Sequence, residues 1–340
     1  MLREQFNFIK KTITFKRAGF AVENYLSYFI SLITNDVHIS GFPPVVMIEP
    51  TNICNLRCPL CPSGNGTLKR PRGYMELNLF KKIIDEIRER SFMVCLWNQG
   101  ESFLNKDFIK MIKYASEAGL FTLVSTNGNV ELDPQEIIDS GLDSMILSLD
   151  GATQETYNKY RINGKLDLVL NNVNKMIKAR KKGGINKPFL RWQFLVLKHN
   201  EHEIDAIKKL AREYEVDHLE LKTVQIYSKE DINNFLPLNP KYRRYKIKND
   251  DFELKVGIKN RCRRIWTSPV INWDGEVSIC CFDKDLEFPI GNVKNQQLEK
   301  IWKNNAINKI RQQILKNRKA IAICRNCGES VKLRIKSRDL

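Results

Sequence analysis

Cys54, Cys58 and Cys61 fall within eight residues, in the run Thr51-Asn52-Ile53-Cys54-Asn55-Leu56-Arg57-Cys58-Pro59-Leu60-Cys61-Pro62. Thiolates hold iron–sulfur clusters, and a cubane of four irons normally takes four of them. Three thiolates on one tight C-x3-C-x2-C loop leave one iron open to a substrate or cofactor, so such a site can perform chemistry as well as carry electrons. Five further cysteines follow between Cys262 and Cys327. Asp274-Gly275, between two β-favouring runs, signals a hairpin turn that would fold Cys280 back towards Cys262. Cys324-Arg325-Asn326-Cys327 adds a C-x2-C pair, and together these make four thiols, the full complement of a closed cluster. A tetrahedral zinc site with four cysteine ligands is the alternative that spacing leaves open. Cys281 is adjacent to Cys280, and neighbours on a strand face opposite ways, so either could be the ligand. Cys95, among Val94, Leu96 and Trp97, reads as a buried core thiol.

The elements that must position these residues are legible in the alternation of strand and helix patterns. The run 44–49 is apolar and β-branched and leads straight into the first cysteine loop. Strand patterns recur at 91–97, 120–125, 144–149, 189–197 and 218–222. Helical patterns separate them at 79–90, 107–118, 134–140, 166–182 and 203–214. Strict alternation predicts an α/β fold with a parallel sheet and helices outside. About six repeats give a partial (βα)6 TIM-like barrel, whose chemistry gathers at the carboxyl ends of the strands.

The chain has 340 residues, 42% hydrophobic and 28% charged, as a globular protein requires. It is neither small nor led by a signal peptide, so clustered cysteines read as ligands rather than disulfides. The formal net charge is +17, which raises nucleic acid, anionic lipid and phosphorylated substrates as partners. The charge is spread along the chain, and a lysine-rich composition alone would give it. Residues 1–40 look helical. Lys10, Lys11, Lys16 and Arg17 precede an apolar stretch too short to span a bilayer. A helix packed on the catalytic domain and a basic amphipathic helix lying on a membrane surface are the two readings.

The cysteine loop after a first strand, with Asn55-Leu56 and Pro59, resembles that of the radical S-adenosylmethionine (SAM) enzymes. In that family the open iron chelates the amino and carboxylate groups of SAM, and reductive cleavage yields a 5′-deoxyadenosyl radical that abstracts hydrogen from a substrate. Gln99-Gly100-Glu101-Ser102 is similar to the family's Gly-Gly-Glu-Pro motif, keeping only Gly100 and Glu101, with Glu101 able to accept from the SAM ammonium. Ser125-Thr126-Asn127-Gly128 matches a common Thr-Asn-Gly. By position the resemblance makes Ser148 and Asp150 ribose contacts and places Arg161 near the SAM carboxylate. Asn127, Ser148 and Asp150 all stand at strand ends, where Asn-Gly and Asp-Gly are also ordinary turn chemistry. The carboxy-terminal stretch, with Gly291-Asn292-Val293 and a helix through Trp302, resembles the SPASM and Twitch modules. Full SPASM modules carry seven cysteines. Five here fit the Twitch arrangement, with one auxiliary [4Fe-4S] cluster on Cys262, Cys280, Cys324 and Cys327.

The resulting expectation is a helical extension over 1–42 and a radical SAM partial barrel over 43–224. A linker over 225–261, an auxiliary cluster module over 262–330 and a basic tail over 331–340 follow, the run 331–336 patterned as a half-buried strand. The expected cofactors are a SAM-binding [4Fe-4S] cluster, one auxiliary [4Fe-4S] cluster and SAM. The expected activity is hydrogen abstraction in the oxidative modification of a small molecule or peptide. The alternatives are a radical SAM enzyme acting on RNA, for which no recognisable RNA module is present, and a non-enzymatic iron–sulfur or zinc protein that binds nucleic acid. A reducing partner such as flavodoxin or ferredoxin is implied. Cytoplasmic localisation is expected, with peripheral membrane contact through residues 1–34. His38, His199, His202 and His218 are scattered and take no role.

Overall fold

The computed structural model describes residues 2–249 and 251–328. Six strands run in parallel and in chain order: β1 (Val45–Ile48), β2 (Met93–Cys95), β3 (Phe121–Thr126), β4 (Ser144–Ser148), β5 (Phe189–Val196) and β6 (His218–Thr223). The helices Leu77–Ile87, Phe108–Glu117, Pro134–Asp139, Leu166–Lys182 and Ile204–Glu213 connect them. In β5 the alternate residues Leu190, Trp192, Phe194 and Val196 are buried against the helical layer, the period-two pattern of a strand with two distinct faces. In the helix Leu166–Lys182, Val169, Val173 and Met176 complete the match from the other side at helical spacing. The expected partial barrel is therefore present, with strand ends within three residues of the sequence reading.

The cysteine-bearing carboxy-terminal segment is not a separate body. Its strand β9 (Val270–Ile271) pairs in parallel with β1, and a hairpin adds β10 (Glu276–Ser278) and β11 (Pro289–Asn292), giving one nine-stranded sheet. The hairpin turns at Asp274-Gly275, as the sequence predicts, with Gly275 at a φ of 88°. The segment expected to be a plain linker is folded. It carries a helix (Lys229–Phe235) and the two-stranded hairpin formed by β7 (Tyr245–Lys248) and β8 (Asp251–Leu254). Its irregular, Asn- and Lys-rich composition hid Tyr245, which is buried against Phe252 and donates its hydroxyl to Asn326 Oδ1 at 2.7 Å. The run expected to form a strand at 331–336 lies outside the described residues.

Residues 1–40 form two helices, α1 (Leu2–Thr12) and α2 (Phe15–Thr34). Helix α1 closes the amino end of the barrel. Phe8 packs edge-on against Phe92 and Phe121, and Lys11 pairs with Asp143 at 2.5 Å just before β4. Arg3 pairs with Asp217 just before β6, and Glu4 with Arg191. Helix α2 braces the carboxy-terminal segment: Asn24 donates to the Trp266 carbonyl at 2.9 Å, and Tyr28 packs at a tilt against the Trp266 ring. No helix among the described residues is long and apolar enough to cross a membrane.

Candidate functional site

The loop that leaves β1 is shaped by polar side chains acting on its own backbone. Thr51 Oγ1 donates to the Gly73 carbonyl at 2.7 Å, and Asn52 bonds both Pro71 O and Gly73 N. These bonds hold the two ends of the loop together. Inside it, Cys61 N donates to Cys58 O at 3.1 Å and a short helix begins at Pro62, where a proline's missing N–H costs nothing. Cys54, Cys58 and Cys61 pack in one cluster with Leu56, Leu60 and Tyr160 at the carboxyl end of the sheet.

Two side-chain donors reach these thiols. Asn127, just beyond β3, brings its amide within 3.7 Å of Cys54 Sγ while donating to Asn55 Oδ1 at 2.9 Å. Arg161 brings Nη1 within 3.8 Å of Cys58 Sγ and pairs through Nε with Asp150 Oδ2 at 2.6 Å. Burial pushes the Cys54 thiol up to about 11. Burial also raises Cys58, against the pull of the Arg161 guanidinium. Burial lowers Arg161 too, yet Asp150 and Cys58 more than reverse this, so it stays charged. Metal binding deprotonates such thiols, and positive or N–H groups beside them stabilise the sulfur charge.

Gly100 stands at a φ of 77°, and a Cβ there would lie 2.6 Å from Thr51 O and 2.7 Å from Ile53 O. The backbone after β2 thus passes directly beneath the cysteine loop, and Glu101 N donates to Ile53 O at 2.8 Å. A Gly100→Ala variant is expected to lose more than about 1 kcal/mol, since both φ and space oppose it. Thermal melting of the reconstituted protein and its iron content, both lowered, are the readouts. Glu101 is buried. It accepts from Thr126 Oγ1 at 2.8 Å, Asn127 N at 2.7 Å and Phe103 N at 3.2 Å, which makes it the brace between the β2 and β3 ends. Burial raises its pKa, against those donors.

Asp150 also accepts from Leu195 N at 2.7 Å, tying the β4 end to β5. Met145 and Leu147 turn outward to the helices, so Ser148 turns inward, in register with Gln193. Asp150, Arg161 and Gln193 line a cavity of about 280 Å³ that also takes in Lys222 and Arg244. Of the residues singled out from sequence, Asn127 and Arg161 reach the cysteine sulfurs, Glu101 and Asp150 hold those two in place, Gly100 lies under the cysteine loop, and Ser148 stands at the end of β4. The Asp150–Arg161 pairing had no signal in the sequence, because the two come from separate elements.

The second cysteine group divides cleanly. Cys262, Cys280, Cys324 and Cys327 line one small cavity with Ile265, Ile279 and Ile314. Cys281 faces the barrel interior instead, beside Met47, Cys95 and Val270, with Arg264 Nη1 3.6 Å from its sulfur. The two neighbours point apart, but in the turn that follows β10 rather than on a strand. Arg318 joins the four-thiol cavity, fully buried. Burial lowers its pKa, but Cys262, Cys327 and Cys324 outweigh that and raise it. Nothing in the sequence marked it. Among the described residues no three His, Cys, Asp or Glu side chains are gathered closely enough to hold a single metal ion. All-sulfur donor sets with cationic or amide neighbours suit iron–sulfur clusters.

A buried ion pair joins the two cysteine regions. Arg70 binds Glu49 through two nitrogens at 3.0 and 2.9 Å, and its Nε donates to the Lys284 carbonyl at 2.6 Å. Lys69 N donates to Asp285 Oδ1 at 2.8 Å. Between the regions lies a cavity of about 560 Å³, lined by Pro59 and Leu60 on one side and Phe282, Asp285 and Ile323 on the other.

A parallel barrel with three thiols at its carboxyl end and four more around a second cavity defines a protein with two thiol-lined centres. The model of the radical SAM superfamily matches residues 48–211, and that of the SPASM iron–sulfur cluster-binding domain matches residues 262–328. The chain belongs to the radical SAM superfamily, is an enzyme, and carries a SPASM-type module. Membership brings a [4Fe-4S] cluster, SAM and auxiliary iron–sulfur binding. The tungsten-containing aldehyde ferredoxin oxidoreductase cofactor-modifying protein of Pyrococcus furiosus is 24% identical over 285 residues, covering 75% of this chain and 79% of that protein. The PqqA peptide cyclase of Bradyrhizobium diazoefficiens is 26% identical over 193 residues, 55% of this chain. The chain spans about half of that relative, 48% of its length. Among solved structures, Streptococcus suis SuiB bound to SAM superposes with a TM-score of 0.63 at 15% identity, covering 89% of this chain and 76% of SuiB. SuiB has also been solved with its precursor peptide SuiA.

Proposed function

We propose that this enzyme oxidatively modifies an organic substrate, a peptide side chain or a small molecule, held between a SAM-binding cluster and one auxiliary cluster. The observation that carries this reading is the cavity of about 560 Å³ bounded by the first cysteine loop and the carboxy-terminal module. In this reading Cys54, Cys58 and Cys61 hold the first [4Fe-4S] cluster, and Cys262, Cys280, Cys324 and Cys327 hold the second. When bound, the first cluster and SAM supply reductive cleavage to methionine and a 5′-deoxyadenosyl radical that takes a hydrogen atom from the substrate. Gly100 keeps the backbone low enough for the cysteine loop to close over it. Glu101 and Asn127 fix the loop's outer edge, with Glu101 within the region that receives the SAM ammonium. Ser148 and Asp150 face the ribose, and Arg161, held by Asp150, supplies positive charge for the SAM carboxylate.

A peptide substrate is supported by the PqqA peptide cyclase and by SuiB, each of which acts on or binds a peptide; the cofactor-modifying relative supports a small molecule. A reducing partner such as flavodoxin or ferredoxin fits the net charge of +17, since complementary charge speeds encounter. Cytoplasmic localisation with peripheral membrane contact through residues 1–34 completes the reading, supported by the exposed apolar side chains of α1 and α2. The test is anaerobic reconstitution with iron and sulfide, then dithionite and SAM. The expected product is 5′-deoxyadenosine, with deuterium incorporated from a labelled substrate. Absence of 5′-deoxyadenosine from protein with both clusters intact overturns the reading.

A further inference from the structure

Helix α2 is amphipathic the wrong way round for a helix that only packs on a domain. Its buried face carries Arg17, Asn24, Ser27 and Ser31, alongside Ala21 and Tyr28. Its exposed face carries Phe15, Val22, Leu26, Phe29, Ile30 and Ile33. Phe15 is 101% exposed and Ile33 84%, so neither is half-covered by a neighbour. Surface helices of globular proteins turn the apolar stripe inward. Here most of the inward polar groups are bonded by the protein itself, Asn24 through its Nδ2 alone. Arg17 donates to the carbonyls of Arg88, Thr12, Ala118 and Gly119, and Ser27 and Ser31 bond back to their own helix. The outward stripe continues on α1 as Leu2, Phe6 and Ile9, then Ile13, spaced by four, three and four residues. Ten of the seventeen exposed large apolar side chains among the described residues lie between Leu2 and Ile33, nine of them in these two helices, so the patch is concentrated rather than scattered.

We infer that α1 and α2 form a platform that lies in the headgroup region of an anionic lipid bilayer, with the barrel standing on it amino end down. This rests on the peripheral contact proposed above and names its partner, its residues and its orientation. Charge decides for lipid over a second copy of the chain. Exposed Lys10 and Lys16 border the apolar stripe, Lys16 sharing its charge with Glu89, on a chain whose formal net charge is +17. The other basic side chains of residues 1–34 turn inward, Arg3 to Asp217, Lys11 to Asp143 and Arg17 to backbone carbonyls, as does Glu4 to Arg191, while Glu23 is exposed. Two copies meeting through this face would bring like charges together, whereas acidic headgroups neutralise them while the apolar stripe enters the acyl boundary. Orientation follows from α1. Its partners Phe92, Phe121, Asp143 and Asp217 all precede or open strands, so the membrane side is the amino end of the barrel. Cys54, Cys58 and Cys61, at the carboxyl end, then face the aqueous side, where a soluble substrate and a reducing protein reach them.

The experiment is cosedimentation of the reconstituted full chain with vesicles of phosphatidylcholine alone or mixed with phosphatidylglycerol, at low and high salt. Binding is expected to the mixed vesicles, weaker at high salt. Two variants are compared, Leu26→Asp with Phe29→Asp, and Lys10→Glu with Lys16→Glu. Each is expected to lose binding by at least about tenfold. All these side chains are exposed, so melting temperature and 5′-deoxyadenosine formation with dithionite are expected to stay as in the parent. Failure of the parent to sediment with anionic vesicles, or unchanged binding by the Leu26→Asp/Phe29→Asp protein, overturns the proposal and leaves the enzymatic reading standing. A concentration-dependent dimer that the same variant dissolves overturns it in favour of a second copy. Loss of 5′-deoxyadenosine in the parent with binding intact counts against the enzymatic reading alone.

Discussion

Replacing Cys58 with alanine is expected to abolish 5′-deoxyadenosine formation while leaving the auxiliary centre loaded. Iron per chain should fall from about eight to about four, one cubane's worth. Three thiolates are the minimum that leaves a single open iron, so losing one leaves two, too few to hold the cluster against solvent. Cys58 is the most enclosed of the three, and Arg161 stands beside its sulfur. The substitution should not unfold the loop, because Arg161 keeps its pairing with Asp150 and the loop ends stay tied through Thr51 and Asn52. The same comparison separates the neighbours in the second group. Cys280→Ala should lose the auxiliary irons, whereas Cys281→Ala should keep all of them, since its side chain lies with Met47 and Cys95. Retained 5′-deoxyadenosine formation in the Cys58→Ala protein would refute the ligand assignment.

Breaking the pair between Arg70 and Glu49 is expected to give the largest loss of stability. Both side chains are almost completely buried, at 3% and 0% exposure. Burial pushes the Glu49 carboxyl up, and Arg70 is its main counterweight, aided by the backbone N–H of Gln99. Removing one partner of such a pair strands the other charge and typically costs about 3–5 kcal/mol. Arg70→Met should therefore lower the melting temperature by on the order of 10 °C. It also removes the bond to the Lys284 carbonyl, so the cysteine loop and the carboxy-terminal module should loosen together. The double variant Arg70→Met with Glu49→Gln is expected to recover part of the loss, because no full charge is then left alone. Circular dichroism melts under anaerobic conditions measure both. An Arg70→Met protein that melts with the parent would show that the pair contributes nothing.

The barrel and its cysteine loop were legible because their signals are local. Strand alternation in Phe189–Val196 and the helical spacing of Val169, Val173 and Met176 each repeat within one element. The C-x3-C-x2-C spacing places three thiols on one loop whatever the rest of the chain does. The hairpin at Asp274-Gly275 was legible for the same reason. The folded segment after β6 was missed because its order depends on burying Tyr245 and bonding it to Asn326, 81 residues away.

What the sequence by itself determined is the chemistry. The cysteines, their spacing and the αβ alternation are properties of neighbours along the chain, fixed before any long-range contact forms. Tertiary structure alone decided the arrangement. Only packing turns Cys280 to the four-thiol cavity and Cys281 to the barrel interior, sets Arg318 among the thiols, and pairs Arg70 with Glu49. Only the pairing of β9 with β1 makes the auxiliary module part of the barrel's own sheet. Only the docking of α1 and α2 shows which of their faces is left outside, because an amphipathic pattern has a direction along the helix but none in space until a neighbour covers one side.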